Sequence, residues 1–176
     1  MGGVETMRHW VTGTQITGYW AYSPAETPVQ NVGIWLQTLT EEYPNVWLWS
    51  GLTAIEIWNP ERPDCPPDLR TKSALYHPGA RKIQLRTYEL NGGQLAHECG
   101  HHVQVQLRIN PDTDRLGQAL WRAFVAMTGT GSLSYADQVE HFAEAWRYLF
   151  YPDRARPPIN LPAGLKELFR CMSAGR

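Results

Sequence analysis

His97-Glu98-Cys99-Gly100-His101 is the stretch on which the reading of this chain turns. It has the form HExxH. On a helix, residues four apart lie about 40° apart around the axis, so both imidazoles occupy one face and can share one zinc ion. The glutamate after the first histidine then stands beside that ion, placed as a general base. With six His and eleven Glu in 176 residues, an arbitrary ordering would give HExxH in about one chain in 80. The motif favours zinc by itself, and its surroundings carry the rest.

Those surroundings read as a helix. Asn91 is placed as the N-cap with Gln94 at the third helical position, and Pro111 closes the segment. Leu95, Cys99, Val103 and Leu107 form one stripe that faces a core, while His97, His101 and Gln104 lie on another face. Cys99 therefore reads as a small buried hydrophobe, and Gly100 as the point where another element packs close. His102 is about 100° round from His101 and is expected to pack or to meet a carbonyl.

Working outward, Val32, Leu36, Leu39 and Tyr43 predict a helix from about Val29 to Glu42, followed by Pro44. Residues 46–58 (VWLWSGLTAIEIW) read as one or two buried strands, and 59–67, with four prolines, as loop. Residues 73–77 and 81–87 read as two strands around a turn at His77-Pro78-Gly79. Leu116 to Met127 predicts a further helix. After a loop over 128–134, another begins near Ser134, with Val139, Phe142, Trp146 and Leu149 as its apolar stripe. Pro152 to Pro162 reads as loop and about 164–171 as a short helix. No repeat or long linker divides the chain. Residues 1–176 are expected to form one domain, with 1–28 as an irregular N-terminal arm and 8–22, Thr-, Gly- and Trp-rich, as an irregular strand or arm.

Composition narrows the function classes. Hydrophobic content of 43% with 19% charged residues fits a folded domain, and the net charge of −1 gives no bulk electrostatic reason to expect a nucleic-acid partner. Eight Trp and eight Tyr are read mainly as core. No apolar run has the length of a membrane span, and the first residues lack the apolar stretch of a signal peptide. Cys65, Cys99 and Cys171 are isolated and odd in number, which argues for a reducing compartment. The expected location is the cytoplasm, and the small size also admits a phage-encoded or delivered effector.

A catalytic zinc keeps three protein ligands, so His97 and His101 need a third. A histidine three residues beyond a glycine at 104 would mark one class, but Gln104 and Leu107 stand there. The better candidates lie in Tyr135-Ala136-Asp137-Gln138-Val139-Glu140-His141-Phe142-Ala143-Glu144-Ala145-Trp146, where Glu140 and Glu144 share a helical face. Periodicity alone would make Glu140, Glu144 and Arg147 a solvated face with an ion pair. Asp137 is a further carboxylate, but Ser134-x-x-Asp137 is a capping box that assigns it to the start of the helix. His9, His77 and His141 are given no role.

HECGH followed by SYADQVEHFAEAW resembles the gluzincin zinc metallopeptidases, most closely the group related to the catalytic domain of anthrax lethal factor. The resemblance covers about residues 70–150. It implies Glu140 as the third zinc ligand, Glu144 as an acid that orients a ligating imidazole, and Tyr135 as a phenol at the oxyanion. His141 departs from the pattern, as does the short gap between Tyr135 and Glu140. The implied fold is α+β: a zincin-like single domain with a small, mostly antiparallel or mixed sheet, an N-terminal helix, the HExxH helix and a C-terminal Glu-bearing helix. The implied activity is zinc-dependent endopeptidase chemistry, with one Zn2+ per chain and Glu98 as general base. The substrate would be a peptide or protein held extended along an edge strand, for which 81–87 is the expected position, and aromatic residues of 46–58 and Tyr76 would wall its pockets. The alternative is a non-catalytic or lapsed zinc-binding module with a structural or interaction role. Oligomeric state is left open.

Overall fold

The computed structural model describes residues 2–22, 28–151 and 161–174. Five strands form one mixed sheet: β1 (Val4–Arg8), β2 (Gln15–Tyr19), β3 (Ala54–Trp58), β4 (Ala74–His77) and β5 (Lys82–Arg86), in the order β1-β2-β3-β5-β4. The β1–β2 and β5–β4 pairs are antiparallel, and β2–β3 and β3–β5 are parallel. Six α-helices accompany the sheet among the described residues: α1 (Pro28–Glu42), α2 (Val46–Ser50), α3 (Gly92–Gln106), α4 (Arg115–Thr128), α5 (Tyr135–Phe150) and α6 (Leu165–Ala174). The molecule is thus a small α+β domain.

Strand alternation explains which face is covered. Ile16, Ile55, Ile57, Ile83 and Leu85 are fully buried on one side, with α1 and α3 against that side of the sheet. The intervening Thr17, Glu56 and Gln84 line up across the other face. There the 59–70 segment lays a small cluster of Trp58, Cys65 and Leu69 over part of the sheet. No described helix is long and apolar enough to cross a membrane, and the three cysteines are free.

Three expectations are corrected. Residues 46–50 are helical, not a strand. Trp49 Nε1 donates to the Tyr43 carbonyl at 2.8 Å, and Leu48 and Trp49 are buried while Trp47 is 52% exposed, so one short helical turn carries an apolar residue on its outer side as well. Periodicity does not separate that case from a buried strand. The described part of 1–28 is no arm, and of the two readings of 8–22 the strand holds: β2 sits second in the sheet, hydrogen-bonded to strands on both sides. Its Thr and Gly content hid the alternation that Ile16 alone announces. The strand ahead of the HExxH helix, β5, lies inside the sheet, and the edge belongs to β4. The expected loop from Pro152 to Pro162 lies largely outside the described residues.

Candidate metal centre

Two helices build the site. α3 begins where Asn91 Oδ1 accepts the Gln94 backbone N–H at 3.0 Å, and α5 begins where Ser134 Oγ accepts that of Asp137 at 3.2 Å. Both caps follow the sequence reading. Leu95, Cys99, Val103 and Leu107 are fully buried, and so fix which face of α3 is left for the histidines. The helices run antiparallel at close range, and Gly100 is the reason. A Cβ there would lie 2.8 Å from Cα of Ala143 and 2.9 Å from its carbonyl oxygen. Ala143 stands between Glu140 and Glu144, so the closest approach of the two backbones falls beside the two carboxylates.

His97, His101 and Glu140 form a group whose donor atoms all lie within 4.8 Å of one another and could hold a metal ion. Glu140 places one carboxylate oxygen 3.2 Å from His97 Nε2 and the other 3.6 Å from His101 Nε2. The far nitrogen of His97, Nδ1, faces Glu144 Oε2 at 2.9 Å. An Nδ1–H donated to that carboxylate leaves the Nε2 lone pair directed at the group, which fixes ring and tautomer together. Arg147 Nη1 in turn donates to both Glu144 oxygens, at 3.0 and 3.2 Å.

The electrostatics favour positive charge at this spot. The His101 ring beside Glu140, aided by His97, draws that carboxyl down to about 2. The hydrogen bond from His97, aided by Arg147, lowers Glu144 despite its partial burial. Burial works against the His97 imidazolium, but Glu144, Glu98 and Glu140 outweigh it and raise its pKa. A cation bound there would compete with protons for these groups.

Glu98 is buried in the cleft wall. Burial raises its pKa, against the pull of His101 and His97 and a hydrogen bond with the Tyr76 backbone. The Tyr76 hydroxyl lies 3.0 Å from Nδ1 of His102, whose Nε2 lies 2.9 Å from the Leu48 carbonyl. Burial lowers His102 to about 4, so its ring is neutral, donating at Nε2 and accepting the tyrosine proton at Nδ1. It meets a carbonyl, as its position on the helix implied.

An open cleft of about 900 Å³ runs past these groups, lined by His97, Glu98, His101 and Glu140, by Thr71–Tyr76 of the edge, and by Tyr135. Tyr135, the first residue of α5, is 49% exposed, and its ring lies 5.6 Å from that of Trp121. It shares the cleft but stands outside the donor group. Arg147 is the residue that sequence reasoning missed. Read as part of a solvated face, it is 7% exposed and closes the His97–Glu144 chain. The signal was present in its i, i+3 spacing from Glu144, but burial is not legible from spacing. Compared with known protein families, curated proteins and solved structures, the chain finds no match.

Proposed function

We propose that this chain is a zinc-dependent metalloendopeptidase. The observation that carries the reading is the convergence of two imidazole nitrogens and one carboxylate, with a further buried glutamate beside them, in a cleft bordered by a sheet edge. Zinc is the ion this donor set suits. Bonds of about 2.0–2.2 Å in tetrahedral array put ligand atoms about 3.4 Å apart, and Glu140 stands 3.2 and 3.6 Å from the two histidines. Among the described residues the group has three donors, which leaves a fourth position open, as a catalytic site requires and a structural site does not. That feature favours the enzyme over a non-catalytic zinc module.

A zinc ion bound here would acidify a coordinated water and polarise a peptide carbonyl. Glu98 takes the proton of the attacking water and passes it to the leaving amine. Glu144, held by Arg147, keeps the His97 ring oriented. The free backbone groups of β4 hydrogen-bond an extended peptide in the manner of an added strand, and Tyr135 donates from the cleft rim to the developing oxyanion.

Purified protein is expected to contain about one zinc per chain; finding none under conditions that preserve bound zinc would overturn the reading. Glu98→Gln should keep the metal and lower kcat/KM against a peptide library by about 10²–10⁴-fold. Full activity in that variant would remove Glu98 from the role of base.

A further inference from the structure

The walls of the cleft are not alike, and the topology sorts them. Five residues, 87–91, connect β5 to α3, so α3 returns along the sheet antiparallel to β5 and in the same direction as β4. The 71–73 segment therefore lies by the start of α3, and Pro78 by its end. α5 runs the opposite way, with Arg147 packed on Gly93 and Glu140 facing His101. Its first residues thus lie by the end of α3. One end of the cleft is polar, with Lys72, Ser73, Gln94 and Arg147. The other is more apolar and carries no charged side chain beyond the ligand group, with Pro78, Val105, Ile109 and Val139 beside Gln104 and Asn110, and Tyr135 at its rim. The metal-ligand group lies between the two.

The apolar end is open to a ligand. Val105, one turn beyond His101, is 40% exposed, and Val139 immediately precedes Glu140 and is half-buried. At the polar end Arg147 is already engaged by Glu144, while Lys72 is an exposed lysine in the cleft wall. An extended peptide on β4 spans both ends, at about 3.3 Å per residue. We infer that the substrate is a peptide carrying an apolar side chain on one side of the scissile bond, against Val105 and Val139, and an acidic side chain on the other, toward Lys72. This rests on the peptidase reading and gives that site its substrate class.

The test uses zinc-loaded protein and a fluorogenic peptide with Leu and Glu on opposite sides of the cleaved bond, in both orders, together with its Ala and Gln analogues. The preferred order is expected to be cleaved about tenfold better than the Ala analogue and about threefold better than the Gln analogue. Val105→Asp should abolish the first preference, and Lys72→Glu should turn the second toward a Lys-bearing peptide. Both positions are exposed enough to accept the change without unfolding the chain. Binding of the same peptides to the Glu98→Gln protein is measured in parallel by fluorescence polarisation. Cleavage in which neither substitution moves a preference overturns this inference and leaves the peptidase reading standing. Binding with the stated preferences, moved by the two substitutions but without cleavage by the unsubstituted protein, overturns the peptidase reading and keeps the cleft assignment. Neither binding nor cleavage overturns both.

Discussion

Two carboxylate clusters in this molecule invite comparison. On the outer face of the sheet, Glu56 accepts from Lys82 Nζ at 3.0 Å, Gln84 Nε2 at 2.7 Å and Trp58 Nε1 at 3.1 Å. Burial pushes its pKa up, and these three donors more than reverse that. Its oxygens are met by three nitrogen donors fixed on the same face of the sheet. Glu140, between α3 and α5, is 66% exposed at its side chain and faces only imidazole nitrogens, which act as donors only while protonated. The first cluster is complete as it stands. The second is complete only with positive charge between its members. A low carboxylate pKa is common to both and does not identify a site; the nature of the donors does.

The sharpest test removes each carboxylate in turn. Glu140→Ala is expected to weaken zinc binding by more than about 100-fold while changing the stability of the metal-free protein by under about 0.5 kcal/mol. Glu56→Ala should leave zinc binding unchanged and lower stability by about 1–3 kcal/mol, because its donors lose a shared acceptor. Chelator competition and denaturant melts read the two effects. Equal destabilisation by both substitutions, with zinc binding intact in both, would make the second cluster an ordinary ion-pair group.

A smaller effect is expected from Arg147→Met, which leaves Glu144 without its clamp. Zinc affinity should fall about 10–100-fold, with partial recovery in Arg147→Lys. An unaltered affinity would show that Glu144 needs no such support. Gly100→Ala should destabilise the protein by about 1–3 kcal/mol through overpacking against Ala143 and weaken zinc binding with it. A crystal structure of that variant would show Glu140 displaced from the histidines; an undisturbed ligand triangle would mean that the seam yields elsewhere.

The smallest effect concerns pH. A carboxyl whose pKa is lowered by folding contributes stability above its unfolded value and loses it as pH falls through the folded value. Glu56 should therefore make the protein less stable below about pH 4.3, the unfolded reference. The slope of stability against pH in that range should be shallower in Glu56→Gln. An unchanged slope would assign the acid sensitivity to other groups.

Much of the helical framework was legible because its signals are local. The Asn91 and Ser134 caps, the Leu95–Leu107 stripe, the close approach at Gly100 and the carbonyl partner of His102 all follow from spacing within a few residues. Pairing was not. The inner place of β5 and the edge place of β4 depend on the parallel pairing of β5 with β3, whose residues 54–58 come from an earlier part of the chain. The helical turn at 46–50 escaped because Trp47, Leu48 and Trp49 are apolar in succession, although Trp47 is exposed and the other two are buried. For the candidate site, periodicity named the histidines but could not choose between a solvated face and a ligand helix for Glu140. That choice depends on contacts 43 residues apart in sequence. Burial of Arg147 is likewise a property of packing.

The same separation has a consequence for folding. Whatever ion joins His97 to Glu140 closes a loop containing all of α4 and the first turn of α5. A covalent link closing a loop of that length would remove chain entropy worth about 4 kcal/mol from the unfolded state. The metal would thus act as a reversible crosslink, and chelation would lower the melting temperature of the metal-loaded protein.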